Sequence, residues 1–229
     1  MMVELLDIGN SFTRIALWDG TEIRSLRRVA TADFSGAEAA LPKVAACVCP
    51  EVRAKLEGAG IEFITALNQR SRVDFSAVDR TTLGADRVAN AVALAALFPL
   101  PGAVVDCGTA LTLELVDDRF RFRGGAIAPG RQLMRDSLHC GTGQLPEIPL
   151  AGTMPGQPGR NTLDAMTFGI DRGMVGMIRE MLAQAEKIMP LRSVVFVGGD
   201  APFFAGEFPD AVLADDTFTL TGIRIAGGY

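Results

Sequence analysis

The chain has 229 residues, enough for one large domain or two lobes of about 110 residues each, and its 48% hydrophobic and 21% charged residues, with 25 glycines, describe a globular protein and not a disordered one. A formal net charge of −5, with no basic run longer than a pair or two of arginines, argues against the clustered positive surface that non-specific nucleic-acid binding needs. No apolar run reaches membrane-spanning length, since "VANAVALAALFPL" (88–100) is too short and reads as a core helix ended by proline.

Taken in chain order, residues 2–8, 13–18 and 22–29 read as three short strands joined by a Gly/Asn turn and by Asp19-Gly20, a hairpin signal. Residues 36–46 read as a helix and "AACVCP" (45–50) as a short buried strand closed by proline. "EVRAKLEGAG" is an amphipathic helix ending at glycine, "IEFITAL" another strand, and a further helix runs from near Gly84 to about Phe98. The β pattern returns over 102–130, and a Gly/Pro-rich passage over 141–162 is too long for a tight connection and reads as functional or mobile. A helix from about Leu163 to Glu186, opened by Asn161-Thr162 as N-cap, precedes a buried strand, "SVVFVGGDA" (193–201), that breaks at Gly198-Gly199-Asp200.

An internal repeat links the two halves. Laying "DIGNSFTRIALWDG" over "DCGTALTLELVDDR" at an offset of 99 aligns Asp7 with Asp106, Gly9 with Gly108, Thr13 with Thr112 and Asp19 with Asp118. Each copy sits between an apolar strand and an alternating one, at the start of its half. The implied architecture is two similar α/β lobes, each opening with a hairpin, whose turns face each other across a cleft.

Familiar nucleotide motifs are absent: no Gly-x-x-x-x-Gly-Lys-Ser/Thr, no protein-kinase set and no G-x-G-x-x-G after a strand. His139, the sole histidine, lies in "SLHCGTG" without a partner for a nucleophile triad and reads as structural. Cys47, Cys49, Cys107 and Cys140 match no zinc or redox spacing and, with no signal-peptide pattern ahead of them, read as four buried thiols of a cytoplasmic protein. Only Lys43, Lys55 and Lys187 are lysines among 22 cationic residues, so phosphate contacts fall to arginine. What remains is carboxylates in glycine-rich settings: Asp7, Asp86, Asp106 and Asp200. A single strand-end Asp is ordinarily a turn cap. Two at matched positions of a repeat favour a shared cation–phosphate site, because a carboxylate is costly to bury unpaired. Gly9-Asn10-Ser11 and Gly108-Thr109-Ala110 add the small side chains and N–H groups that close approach of a phosphate requires. Asp86, near the first turn of a helix, reads on its own as a capping acid.

Together these stretches resemble one family, the type III pantothenate kinases of the actin-like and sugar-kinase ATPase superfamily. Asp7-Ile8-Gly9-Asn10-Ser11 through Arg14 is similar to its first phosphate loop, D-x-G-N-[TS]-x-x-[KR]. Gly84-Ala85-Asp86-Arg87 is similar to its G-x-D-R substrate motif, and Asp106-Cys107-Gly108-Thr109-Ala110-Leu111-Thr112 to its second phosphate motif. "GGAIAPG" (124–130), "GTGQLP" (141–146), "GRNTLDAM" (159–166) and "VGGDA" (197–201) follow in family order, so the likeness covers essentially the whole chain.

The resemblance implies a duplicated actin-like ATPase fold: two ribonuclease-H-like α/β lobes, residues 1–100 and 101–229, around a central nucleotide cleft. It implies phosphorylation of pantothenate by ATP with Mg²⁺, the first step of coenzyme A biosynthesis, in a cytoplasmic homodimer with no nucleic-acid or membrane partner. Asp86 is then the general base. The ATP and its phosphates fall to Asp7, Ile8, Gly9, Asn10, Ser11, Phe12, Thr13, Arg14 and Thr109, with Gly198 and Gly199 near the adenosine. Asp7 organises Mg²⁺ through the phosphates and Asp106 holds a monovalent cation, K⁺ or NH₄⁺. Gly84, Ala85, Asp86, Arg87 and Thr162 meet pantothenate. Glu114 stands where the family often has Asp, Phe75 near a common Tyr, and Arg14 where Lys is common. Two other readings share these motifs: a diverged nucleotide-binding regulator, and a small-molecule kinase with another acceptor.

Overall fold

The computed structural model describes residues 1–36 and 41–229. The first half builds a five-stranded sheet from β1 (Val3–Ile8), β2 (Phe12–Trp18), β3 (Ile23–Ala30), β4 (Lys43–Cys47) and β5 (Ile61–Phe63), ordered β3-β2-β1-β4-β5. Helix α1 (Pro50–Lys55) joins its last two strands, and α2 (Ala85–Leu97) follows. The second half repeats the arrangement with β6 (Gly102–Cys107), β7 (Ala110–Val116) and β8 (Phe122–Pro129), then α3 (Arg131–Gly141), α4 (Thr162–Ile188), β9 (Ser193–Val197), α5 (Ala201–Phe204), β10 (Val212–Leu213) and α6 (Phe218–Ala226). Its sheet order, β10-β9-β6-β7-β8, matches the first: an antiparallel three-strand meander whose opening strand also pairs in parallel with a later one.

Layering follows from the two-residue period of the strands. On β1, Val3 and Leu5 face one side, where they pack with α2, α6 and Val104, Val195 and Val197 of the second sheet. Leu6 and Ile8 face the other, beneath Val52 and Leu56 of the α1 segment. On β6, Val104 points to the shared middle layer, whereas Ala103, Val105 and Cys107 pack under Met174, Val175 and Ile178 of α4. Helices α2 and α6 therefore lie between the sheets, and the opening strands are apolar on both faces, as central strands covered on both sides must be. Gly222 of α6 sits where a Cβ would lie 1.9 Å from the Ala89 carbonyl oxygen of α2, so the two helices touch backbone to backbone. No helix among the described residues is long and apolar enough to cross a membrane.

Three expectations need correction. Of the four thiols read as buried, only Cys47 and Cys107 are; Cys49 is half-buried and Cys140, in the last turn of α3, is exposed. Residues 43–46, read as the end of a helix, belong to β4, because Lys43–Cys47 is hydrogen-bonded to both β1 and β5 and the sheet overrides the helix preference of its alanines; residues 37–40 of that reading lie outside the described residues. The strand read over 61–67 stops at Phe63, where the Asn68 side chain accepts the Thr65 N–H at 2.7 Å and bends the chain into a turn.

Candidate active site

Because Val3 and Leu5 face the middle layer, so does Asp7, and Asp106 shares that side of β6 with Val104. Both carboxylates thus stand at strand ends in the space between the sheets, where the hairpin turns close through Gly9 N–H to Phe12 O (3.1 Å) and Gly108 N–H to Ala110 O (3.0 Å). The repeat is exact up to these turns and slips after them. Asp7 lies opposite Arg14, but Asp106 lies opposite Thr112, because the second turn is one residue shorter. Thr13 and Thr112, aligned by sequence, are therefore not equivalent: Thr13 is buried and bonded to Thr31 (3.1 Å), while Thr112 faces the cleft as Arg14 does.

Asp86 enters from the first turn of α2, with its Oδ1 accepting the Arg87 N–H at 2.7 Å. One turn further, buried Asn90 donates to Asp106 Oδ2 (2.9 Å) and accepts from Thr219 Oγ1 of α6 (2.8 Å). Arg14 Nη1 lies 3.2 Å from Asp7 Oδ2. Burial raises Asp7 to about 6, a rise that Arg14 opposes and the charges of Asp86 and Asp106 reinforce. Burial likewise raises Asp106 to about 6, with Asn90 opposing and the Asp86 charge adding to the rise. Asp86 is raised by burial too, against the pull of the Arg87 amide and guanidinium. Three carboxylates within each other's field, each desolvated, form a site built to receive positive charge.

These side chains line a cleft of about 490 Å³. Among the expected residues, Asp7, Gly9, Asn10, Ser11, Phe12, Arg14, Asp86, Asp106, Thr109, Gly198 and Gly199 all border it. The Ser11 and Thr109 hydroxyls meet across it at 2.8 Å. Gly198, at φ +93°, lies where a Cβ would come within 2.5 Å of Asp106 Oδ1, so this loop runs directly over the carboxylate.

Ile8 and Thr13 are buried beneath the loop and can offer the cleft only backbone. Gly84, Ala85, Arg87 and Thr162 are not among the lining residues. Arg87 is turned away: its Nε donates to buried Glu114 (2.9 Å) and its Nη2 to the Leu113 carbonyl (3.1 Å). Glu114 is itself raised by burial, with Arg87 opposing. Thr162 is exposed at the start of α4, whose N-cap Asn161 accepts the Asp164 N–H at 2.9 Å. His139 Nδ1 is bonded to the Leu145 carbonyl at 2.9 Å.

Asn90, Thr219, Gln132 and Leu150 are site residues that the sequence reading missed. Asn90 carried a usable signal, since it stands four residues after Asp86 on an otherwise apolar helix and so shares its face. The others depend on tertiary packing that leaves no local trace.

Among the described residues no group of three or more His, Cys, Asp and Glu side chains converges as a metal cage. Asp7 and Asp106 each offer a single carboxylate with one nitrogen partner. That donor set fits a cation carried largely by phosphate oxygens, the usual arrangement of Mg²⁺ in phosphoryl-transfer sites.

The sequence pattern of the type III pantothenate kinase family matches residues 5–184. A type III pantothenate kinase of Akkermansia muciniphila is 40% identical over 151 residues, covering 64% of this chain and 60% of that protein. One from Treponema pallidum is 42% identical over 146 residues, 63% of this chain and 52% of its own. The chain thus aligns with between half and two thirds of these two relatives, whereas the Geobacillus kaustophilus relative is 30% identical over 98% of this chain and 96% of its own. Among solved structures, a Campylobacter jejuni protein described as a Baf family transcriptional activator superposes with a TM-score of 0.68 at 20% identity, covering 96% of this chain and 95% of that one. A Sinorhizobium meliloti protein described as a 2-dehydro-3-deoxygalactonokinase gives 0.63 at 16% identity, over 98% and 95%. At these identities the likeness shows the fold alone, two ribonuclease-H-like lobes in the duplicated actin-like arrangement.

Proposed function

The chain belongs to the type III pantothenate kinase family, and from that premise we propose that it transfers the γ-phosphoryl group of ATP to a hydroxyl of pantothenate, giving 4′-phosphopantothenate on the route to coenzyme A. The observation that carries this reading is that Asp7, Asp86 and Asp106, from three separate elements, line one cleft whose turns supply backbone N–H groups. Phosphoryl transfer asks little of a protein beyond positioning and charge neutralisation, and these are the parts it needs.

In this reading Asp86 takes the proton of the acceptor hydroxyl, and the burial that raises its pKa makes it the stronger base once ionised. Arg14, Ser11, Thr109 and the amides of both turns orient the phosphates. Asp7 stands at the Mg²⁺–phosphate side, and Asp106, fixed by Asn90, at a monovalent cation, K⁺ or NH₄⁺. When bound, these cations neutralise the negative charge that builds on the phosphates. Gly198 and Gly199 let the nucleoside approach the chain closely. Gly84, Ala85 and Arg87 shape the start of α2 around the acceptor.

Thr162 is exposed and outside the cleft, and in this reading it reaches the acceptor near the interface of a homodimer. The lobes divide at residues 1–100 and 101–229, with α6 returning to the first sheet, and the enzyme works in the cytoplasm. The deciding experiment follows ADP release with and without pantothenate, in K⁺ and in K⁺-free buffer. Pantothenate-dependent release that K⁺ stimulates is the expected result. ADP release only with other alcohols would mark a kinase of another acceptor, and nucleotide binding without any turnover would mark a regulator.

A further inference from the structure

Beyond the three clustered carboxylates, the cleft carries a fourth, Asp200, that no step above uses. Its backbone N–H donates to the Cys107 carbonyl at 2.9 Å, which seats it at the end of β6 just past the Gly198 loop. Although it precedes α5, its side chain caps nothing there. Instead its Oδ1 receives Arg131 Nη1 at 3.2 Å.

Arg131 is held from every side. It is 3% exposed, its Nε and Nη2 reach Asp171 of α4 at 3.0 and 3.3 Å, its Nη2 donates to the Ala151 carbonyl at 2.7 Å, and Phe203 stacks beneath it at 3.3 Å. Asp171 is also gripped by both Nη atoms of Arg135, at 3.1 and 3.0 Å, and Arg135 Nε reaches the Pro149 carbonyl at 3.3 Å. Two arginines thus face two aspartates: Asp171 is shared by both guanidinium groups, whereas Asp200 is bonded to Arg131 alone and keeps its other oxygen for the cleft. The same guanidinium pins the segment carrying Leu150, so one device fixes both the carboxylate and the apolar side chain beside it on the cleft wall.

A rigid carboxylate facing a cleft repels phosphate and the carboxylate of pantothenate but accepts hydroxyl hydrogens. Resting on the nucleotide-binding reading above, we propose that Asp200 accepts a hydrogen bond from a ribose hydroxyl of the nucleotide, and that Arg131 is the positioning residue that holds it there. It follows Gly198-Gly199 directly, one residue beyond the stretch assigned to the nucleoside.

The test is calorimetric binding of ADP, 2′-deoxyADP and 3′-deoxyADP with Mg²⁺ and without pantothenate. In the parent, one deoxynucleotide binds about 10- to 100-fold more weakly than ADP, the usual effect of losing a hydrogen bond to a charged acceptor. Asp200→Asn and Arg131→Lys each bring that ratio to within about threefold of unity, whereas a merely structural role would weaken all three nucleotides alike and keep the ratio. Equal binding of all three by the parent, or a ratio that survives in Asp200→Asn, overturns the proposal. If the parent binds none of the three, the kinase reading falls and this inference with it.

Discussion

The hydroxyls of Ser11 and Thr109, 98 residues apart in sequence, lie 2.8 Å from each other across the mouth of the cleft. They belong to the two hairpin turns, and in the proposed ATP site a phosphate oxygen entering between the turns exchanges their mutual bond for two of its own. Thr109→Val, which keeps the shape and removes the hydroxyl, is expected to raise KM for ATP about 10-fold. Ser11→Ala should act similarly, and the double variant should cost less than the product of the singles because the two groups share one target. Steady-state kinetics on the four proteins checks this, and independent effects would show that the hydroxyls do not act together.

Asp86→Asn keeps the shape of the α2 start but removes the proposed proton acceptor. The expected loss in kcat is about 10²- to 10⁴-fold, with nucleotide binding retained. In the parent, kcat should fall on the acid side at a pH above the ordinary carboxylate range, because burial raises Asp86.

Asp106 couples stability to pH with a definite sign. Its carboxyl, raised to about 6 from an ordinary value of 3.8, holds a proton in the folded protein that the unfolded chain has already released, so folding takes up a proton in that window. The stability it contributes is complete below the unfolded value and is lost as pH rises through the folded one. In K⁺-free buffer Asp106→Asn should therefore gain on the parent by on the order of 2 kcal/mol as pH rises from about 4 to about 7.5. Adding K⁺ at neutral pH should raise the melting temperature of the parent, measured against a bulky cation at equal ionic strength, and leave the variant unmoved.

How much of this was legible in the sequence depended on whether a feature was local. The strand–turn–strand units at Asp7 and Asp106 announce themselves, because alternating apolar residues interrupted by glycine and small polar residues have few other solutions. The one-residue slip after the turns was invisible, since an ungapped alignment places Thr13 on Thr112 although only Thr112 faces the cleft. Helix α3 went unread for a physical reason: its buried positions are Arg131 and Arg135, whereas sequence patterns presume apolar residues inside. Nothing near Asp171 or Asp200 indicates that they neutralise those arginines. The Arg87–Glu114 pair was likewise hidden, for neither residue names its partner 27 positions away.

Gly198 offers a sharper mechanical check. With φ at +93° and a Cβ position 2.5 Å from Asp106 Oδ1 and 2.6 Å from the Cys107 carbonyl oxygen, Gly198→Ala both strains the backbone and displaces the carboxylate. A loss of about 1–3 kcal/mol in denaturant-derived stability is expected, together with loss of the K⁺ response. The neighbouring Gly199→Ala, where a Cβ meets nothing within 4 Å, should keep its stability and serves as the control.

The bond from Thr219 of α6 to Asn90, and from Asn90 to Asp106, has a bearing on how the molecule comes into being. Synthesis delivers the carboxylates of β1, α2 and β6 and the Asn90 amide early, but the Thr219 hydroxyl that holds Asn90 and the backbone contact of Gly222 with α2 arrive only with residues 218–226. A nascent chain that has passed residue 200 already carries every proposed phosphate-handling group, yet the layer between its sheets still lacks α6. Competence to bind should therefore appear abruptly and late in translation, when one short helix drops into its slot.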